Sequence, residues 1–227
     1  MNGQIVKLPI KQFANEYLKV DRFENSEFYK RYFRKLLPRF YPTDKVWLAG
    51  GIWRRQFSHE ENYTTDIDLF FSSKIDMEIY KNLCHFSWKD KQNYYTYKRS
   101  YWAESQYVSH ICSDDIDDID VEVQFIHGHY FEDAKTLLEN FNFTVNQFAF
   151  DGSYMYFNPV GLWDIKLKQL HMVDMNTRPS STQQSLNKFI AYGYTIDAKK
   201  RDELGIAADI EQKAARAAGK DLQIWLS

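Results

Sequence analysis

At 227 residues the chain suffices for one domain of ordinary size, or for one such domain with a helical extension. Its 44% hydrophobic and 17% aromatic content excludes an intrinsically disordered chain, and a net charge of −2 excludes a protein that coats nucleic acid by bulk charge. No apolar run reaches the length of a membrane span, and Met1-Asn2-Gly3-Gln4 lacks the charged start and apolar stretch of a signal peptide, so the expected setting is soluble and cytoplasmic.

Residues 11–19 and 25–37 have helical spacing, with Phe28, Phe33, Leu36 and Leu37 on one apolar face and Pro38 ending the second helix. Lys30, Arg31, Arg34 and Lys35 among them read as a solvated face, with a polynucleotide contact as the alternative. A short apolar strand over 45–49 runs into Gly50-Gly51, a helix follows over 51–57, and a second strand over 66–72 carries Asp66 and Asp68. Asp76 to His85 reads as a helix, Tyr94 to Arg99 and Tyr107 to Cys112 as strands, and the acidic run 114–118 as a surface turn. Cys84 and Cys112 have no metal-ligand spacing and are expected as reduced thiols. Ile119 to Ile126 is strand-like. Glu132–Glu139 is helical, Phe143–Asp151 and Ser153–Phe157 are strands joined at Gly152, and Leu186, Phe189, Ile190 and Gly193 form a helical stripe within 181–194. A last helix spans 203–218 and stops at Gly219. The chain divides at about residue 173 into a mixed catalytic unit, 1–173, and a small helical extension, 174–227.

The chemistry concentrates where the glycine pair meets the second strand. Side chains two apart on a strand share a face, so Asp66 and Asp68 project together. Paired carboxylates repel unless cations lie between them, and hard divalent ions take carboxylate oxygen while leaving positions for phosphate oxygens. Glycines let a phosphate approach the backbone, and the helix start beyond them offers unpaired N–H donors. On the strand 119–126, Asp120, Glu122 and Gln124 share one face. Glu122 is the chosen third carboxylate, with Asp120 as the alternative, to complete a two-metal set and accept the proton of an attacking hydroxyl.

Leu48-Ala49-Gly50-Gly51-Ile52-Trp53-Arg54 followed by Asp66-Ile67-Asp68 resembles the head of the DNA polymerase β nucleotidyltransferase superfamily, and within it the bacterial-type CCA-adding enzymes and poly(A) polymerases. Two further blocks are similar to segments of that family. They are Phe143-Thr144-Val145-Asn146-Gln147-Phe148-Ala149-Phe150-Asp151 and Asn158-Pro159-Val160-Gly161-Leu162-Trp163-Asp164-Ile165, the latter running on to Leu170-His171 where the family has an apolar residue and arginine. Val121-Glu122-Val123 takes the place of the family's apolar-Glu-apolar strand. The resemblance implies an α+β catalytic head, a mixed β-sheet flanked by helices, with the C-terminal helices as an annex. It also implies two Mg²⁺ ions, with Mn²⁺ as an alternative, on Asp66, Asp68 and Glu122. Gly50, Gly51 and Arg54 would hold the triphosphate of an NTP such as ATP, and Asn146 the ribose, with Arg178 and Lys188 completing the nucleotide-binding set. The implied reaction is transfer of NMP to an acceptor hydroxyl, an RNA 3′ end first, with release of pyrophosphate. A head that binds nucleotide or RNA without catalysis, or a transferase acting on a protein or small-molecule hydroxyl, is the alternative. No protein partner is indicated.

The chain also departs from the family. Asn140-Phe141-Asn142 stands where the family has Arg-Arg-Asp, and 179–184 lacks the Glu-Asp and Arg of its base-reading helix. Body and tail domains that would hold tRNA do not follow in this sequence, so ordinary CCA addition is not expected.

Overall fold

The structure is a computed structural model that describes residues 3–26, 29, 45–58, 67–80, 94–99, 103–109, 120–127, 129–173 and 179–218, the backbone alone over 94–99, 103–109 and 120–123. Its strands are β1 (Val6–Pro9), β2 (Val46–Ala49), β3 (Ile67–Phe71), β4 (Tyr94–Arg99), β5 (Ala103–Ser109), β6 (Asp120–Ile126), β7 (Phe148–Phe150) and β8 (Tyr154–Phe157). They form one sheet in the order β1-β8-β7-β2-β3-β6-β5-β4. Neighbours are antiparallel except β3 and β6, which run parallel with Ile67 opposite Val123 and Asp68 opposite Gln124. The helices are α1 (Ile10–Phe13, continued by a wider turn, Ala14–Leu18), α2 (Gly51–Ser58), α3 (74–80), α4 (Ala134–Glu139), α5 (Pro159–Leu167), α6 (Pro179–Ala191) and α7 (Ala198–Ala217). This is the α+β architecture, a mixed sheet flanked by helices, that the resemblance implied.

β2 shows why the sheet is covered on both faces. Its four residues are all buried, and strand alternation sends them to two different cores. Val46 and Leu48 join the main cluster with Ile52, Trp53, Leu69 and Phe150, whereas Trp47 and Ala49 join a smaller cluster with Phe131, Leu137 and Leu138 of the α4 side. β3 divides in the same way: Ile67, Leu69 and Phe71 are fully buried in the main core, while Phe70 packs against the smaller cluster. Asp68, two before Phe70, therefore belongs to the α4 face. The Trp53 indole donates to the Leu48 carbonyl at 3.0 Å and fixes α2 on the strand that precedes it.

Helix starts follow local chemistry. Asp133, Asn158 and Asp197 each accept a backbone N–H of the helix they precede, and Pro159 takes the first helical position of α5. α6 is capped from a distance, its Ser180 N–H donating to Glu211 of α7 at 2.7 Å. Leu186, Phe189 and Leu204 from these two helices enter the main core.

Three sequence expectations change, the first being that the last helix begins at Ala198, five residues before the expected start. Phe143–Asp151 is not one strand: Phe143 makes an isolated bridge to Met172, Thr144–Asn146 is a 3₁₀ turn, and only Phe148–Phe150 pairs as β7. The strand expected over 107–112 begins at Ala103 and is followed to Ser109. The helix expected over 25–37 falls almost wholly outside the described residues, as do the acidic run, both cysteines and Gly219.

Candidate active site

The strand-to-helix corner at Gly50 is the centre of the site. Gly50 has φ +85°, a left-handed conformation that side chains rarely adopt, and its N–H donates to the Phe148 carbonyl at 3.3 Å. A Cβ on Gly50 would lie 3.2 Å from Asp68 Oδ2 and 3.7 Å from the Phe141 ring. The register explains the first contact, since Ala49 pairs with Asp68 across the β2–β3 ladder. One half-buried carboxylate thus lies against a bare Cα, with an aromatic wall beside it.

The two arginines after the glycine pair go to different places. Arg54 is 3% exposed, its guanidinium carbon 5.3 Å from the centres of both the Phe189 and Tyr192 rings, so it fastens α2 to the C-terminal part of α6. Arg55 bends back over the first turn of its own helix, and Nη1 lies 3.3 Å from where a Cβ on Gly51 would be. The triphosphate role expected of Arg54 thus falls on a side chain buried against two rings, and Arg55 had been given no role.

Of the three candidate metal ligands, Asp68 is described in full. Glu122 lies one step before Val123, the partner of Ile67, and two before Gln124, the partner of Asp68, so it stands at the same strand parity as Asp68 in the parallel pair. Asp120 lies two residues further back, opposite Ser109. Asp66 and Arg178 fall outside the described residues. Among the described residues no group of three His, Cys, Asp or Glu side chains is set to hold a metal, and the trio is represented there by Asp68 alone. Its oxygens are the hard donors Mg²⁺ prefers.

Asn146 closes the 3₁₀ turn that leads into β7, two residues before the carbonyl that holds Gly50. Its Oδ1 is buried and accepts no hydrogen bond. Lys188 is exposed near the C-terminal end of α6. Phe141, from the segment that replaces Arg-Arg-Asp, also touches Phe70 edge-on at 5.7 Å, which makes this wall of the corner apolar.

This geometry belongs to a known class of fold. A CCA-adding enzyme in complex with ATP superposes with a TM-score of 0.57 at 16% identity, over 94% of this chain and 48% of that one. The Thermotoga maritima CCA-adding enzyme complexed with tRNA gives 0.54 at 14% identity, over 90% and 46%, and a CCA-adding enzyme with CTP gives 0.55 at 15%, over 90% and 45%. The chain therefore has the nucleotidyltransferase fold and spans somewhat less than half the length of these structures. By sequence, residues 19–168 match the model of the Gabija anti-defense 2 family, and the chain belongs to that family. No curated protein matches it.

Proposed function

We propose that the protein is a metal-dependent nucleotidyltransferase that moves NMP from an NTP to an acceptor hydroxyl. The observation that carries this reading is the Asp68 carboxylate facing a left-handed Gly50, its Oδ2 3.2 Å from where a Cβ on that glycine would lie, on a nucleotidyltransferase fold. Asp66, Asp68 and Glu122 would hold Mg²⁺, which when bound neutralises the triphosphate and makes the acceptor hydroxyl a better nucleophile. Gly50 and Gly51 admit the phosphates to the backbone. Arg55, over Gly51, would supply a cation to them, with Arg54 bracing the helix. Glu122 accepts the acceptor's proton as its oxygen attacks the α-phosphorus, and pyrophosphate leaves. Asn146 receives a hydroxyl of the nucleotide sugar, and Lys188 and Arg178 would complete the nucleotide-binding set.

The RNA 3′ end is the acceptor the fold relatives favour, since one of them is a complex with tRNA. A second reading is favoured by the family: a chain described as Gabija anti-defense directs the transfer at a hydroxyl on a component of that defence. Both are tested together. The protein is incubated with each α-³²P-labelled NTP and Mg²⁺, with total RNA in one arm and the purified Gabija proteins in the other, beside a D68A control. Label on either acceptor that D68A does not produce is the expected result. Absence of label in both arms, or equal label from D68A, removes the transferase reading.

A further inference from the structure

The buried carboxylate of Asp164 lies outside the Gly50 corner, and the proposed chemistry does not use it. It sits in α5 at 2% exposure, where an ionised group is costly unless its oxygens are fully satisfied. Oδ2 accepts the Thr144 hydroxyl, and Oδ1 accepts Nδ1–H of His171 at 2.8 Å. His171 is held in turn, because its carbonyl accepts the Thr144 N–H at 3.0 Å. Thr144 is the first residue of the 3₁₀ turn whose last residue is Asn146. The turn is thus clamped through side chain and backbone to two segments twenty and twenty-seven residues further along the chain.

Packing closes the clamp from above. Gly161 of α5 lies so near the turn that a Cβ on it would come within 2.3 Å of the Thr144 carbonyl oxygen. On the far side, Phe143 bridges Met172 and Val173 N–H donates to Asn142 at 3.0 Å. All of this holds a three-residue turn that ends in a buried Oδ1 accepting nothing. A buried acceptor left without a donor costs stability, and such an atom in a rigidly held place is what a ligand donor would satisfy.

We infer that Thr144, Asp164 and His171 are positioning residues for Asn146, fixing its Oδ1 to meet a hydroxyl of the incoming nucleotide. This rests on the nucleotide-transfer reading above. Their effect on binding should then run entirely through Asn146.

The test is a double-mutant cycle read as Kd for Mg·ATP by calorimetry, well below the unfolding temperature of every variant. N146A should weaken binding about tenfold and T144V about fivefold, the size of one lost hydrogen bond, while T144S restores binding to within about twofold. In the N146A background T144V should change Kd by less than about twofold. His171 is 44% exposed at its side chain, so H171A supplies a second arm that does not depend on T144V folding, with the same pattern expected. N146A should also unfold no lower than wild type, since its Oδ1 bonds to nothing. If T144V and H171A weaken binding equally with and without Asn146, the clamp serves the fold alone and the inference is overturned. If N146A binds like wild type, it is overturned as well, with the transferase reading intact. A wild-type protein that does not bind Mg·ATP would remove both.

Discussion

Gly161→Ala sets two well-known effects against each other at one atom. Gly161 lies inside α5, where alanine is favoured over glycine by about 1 kcal/mol. The new Cβ, however, would sit 2.3 Å from the Thr144 carbonyl oxygen, 3.1 Å from its carbon and 3.3 Å from the Phe148 ring. Protein Cβ atoms essentially never approach below 3.0 Å, so α5 and the turn must separate by about 0.7 Å. That displacement overpacks a buried contact, which costs about 1–3 kcal/mol, and stretches the charged hydrogen bond from Thr144 to Asp164, worth about 1.5–3 kcal/mol when intact. With about half of that hydrogen bond lost and the propensity gain subtracted, the net loss should be about 1–3.5 kcal/mol, or a Tm lower by roughly 2–14 °C for a chain of this length. The control is Gly205→Ala in α7, where the nearest atom to a new Cβ is Gln183 Oε1 at 3.9 Å and only the propensity gain, about 0.5–1 kcal/mol, should remain. Urea denaturation of the two variants beside wild type decides. If G161A matches or exceeds wild-type stability, helix propensity has won and α5 does not rest on the turn.

Two further outcomes can be checked on the same material. Arg54→Ala removes a buried guanidinium packed against two rings and should cost about 2–4 kcal/mol in denaturation. Arg55→Ala should stay within about 0.5 kcal/mol of wild type and weaken Mg·ATP binding, and the opposite assignment of these effects would refute the division between the two arginines. The Asp133 carboxyl is held below its ordinary range chiefly by the Thr136 N–H it accepts at the start of α4, and that of Asp76 by the hydroxyls of Ser72 and Ser73. Both groups have a folded-state pKa below the unfolded one. Their stabilisation is therefore complete above about pH 4 and is lost as pH falls through the folded values. Asp133→Ala should accordingly lie about 1 kcal/mol below wild type at pH 7 and approach it near pH 2–3, and a difference constant with pH would contradict the linkage.

The corner itself was readable in advance because its signals are local. An apolar tetrad, two glycines and a carboxylate at alternate positions of the next strand need no distant partner to be recognised, and β2, α2 and β3 lie where those signals put them. Thr144–Asn146 reads as strand because Phe143, Val145 and Gln147 alternate, whereas the Asn146 and Gln147 N–H groups bond back to Phe143 and Thr144 and its first residue is held by Asp164 and His171, too far along the chain for a local pattern to show. β1 escaped notice for a related reason: four residues ending in proline pair only through β8, far along the chain. Phe141 carried no motif at all. Its place beside Gly50 follows from its packing against Phe70 on the α4 face, a contact that no short pattern encodes.

The pairing of Val6 with Phe157 joins the first strand to one made about 150 residues later. During synthesis from the ribosome the opening segment must wait for its β8 partner to emerge, and the glycine bend gains its Phe148 support only shortly before. The β1 edge of the sheet is thus completed last, after the other described strands have been translated. A nascent chain arrested before residue 148 could pair β2 with β3 yet would lack the Phe148 carbonyl that holds Gly50.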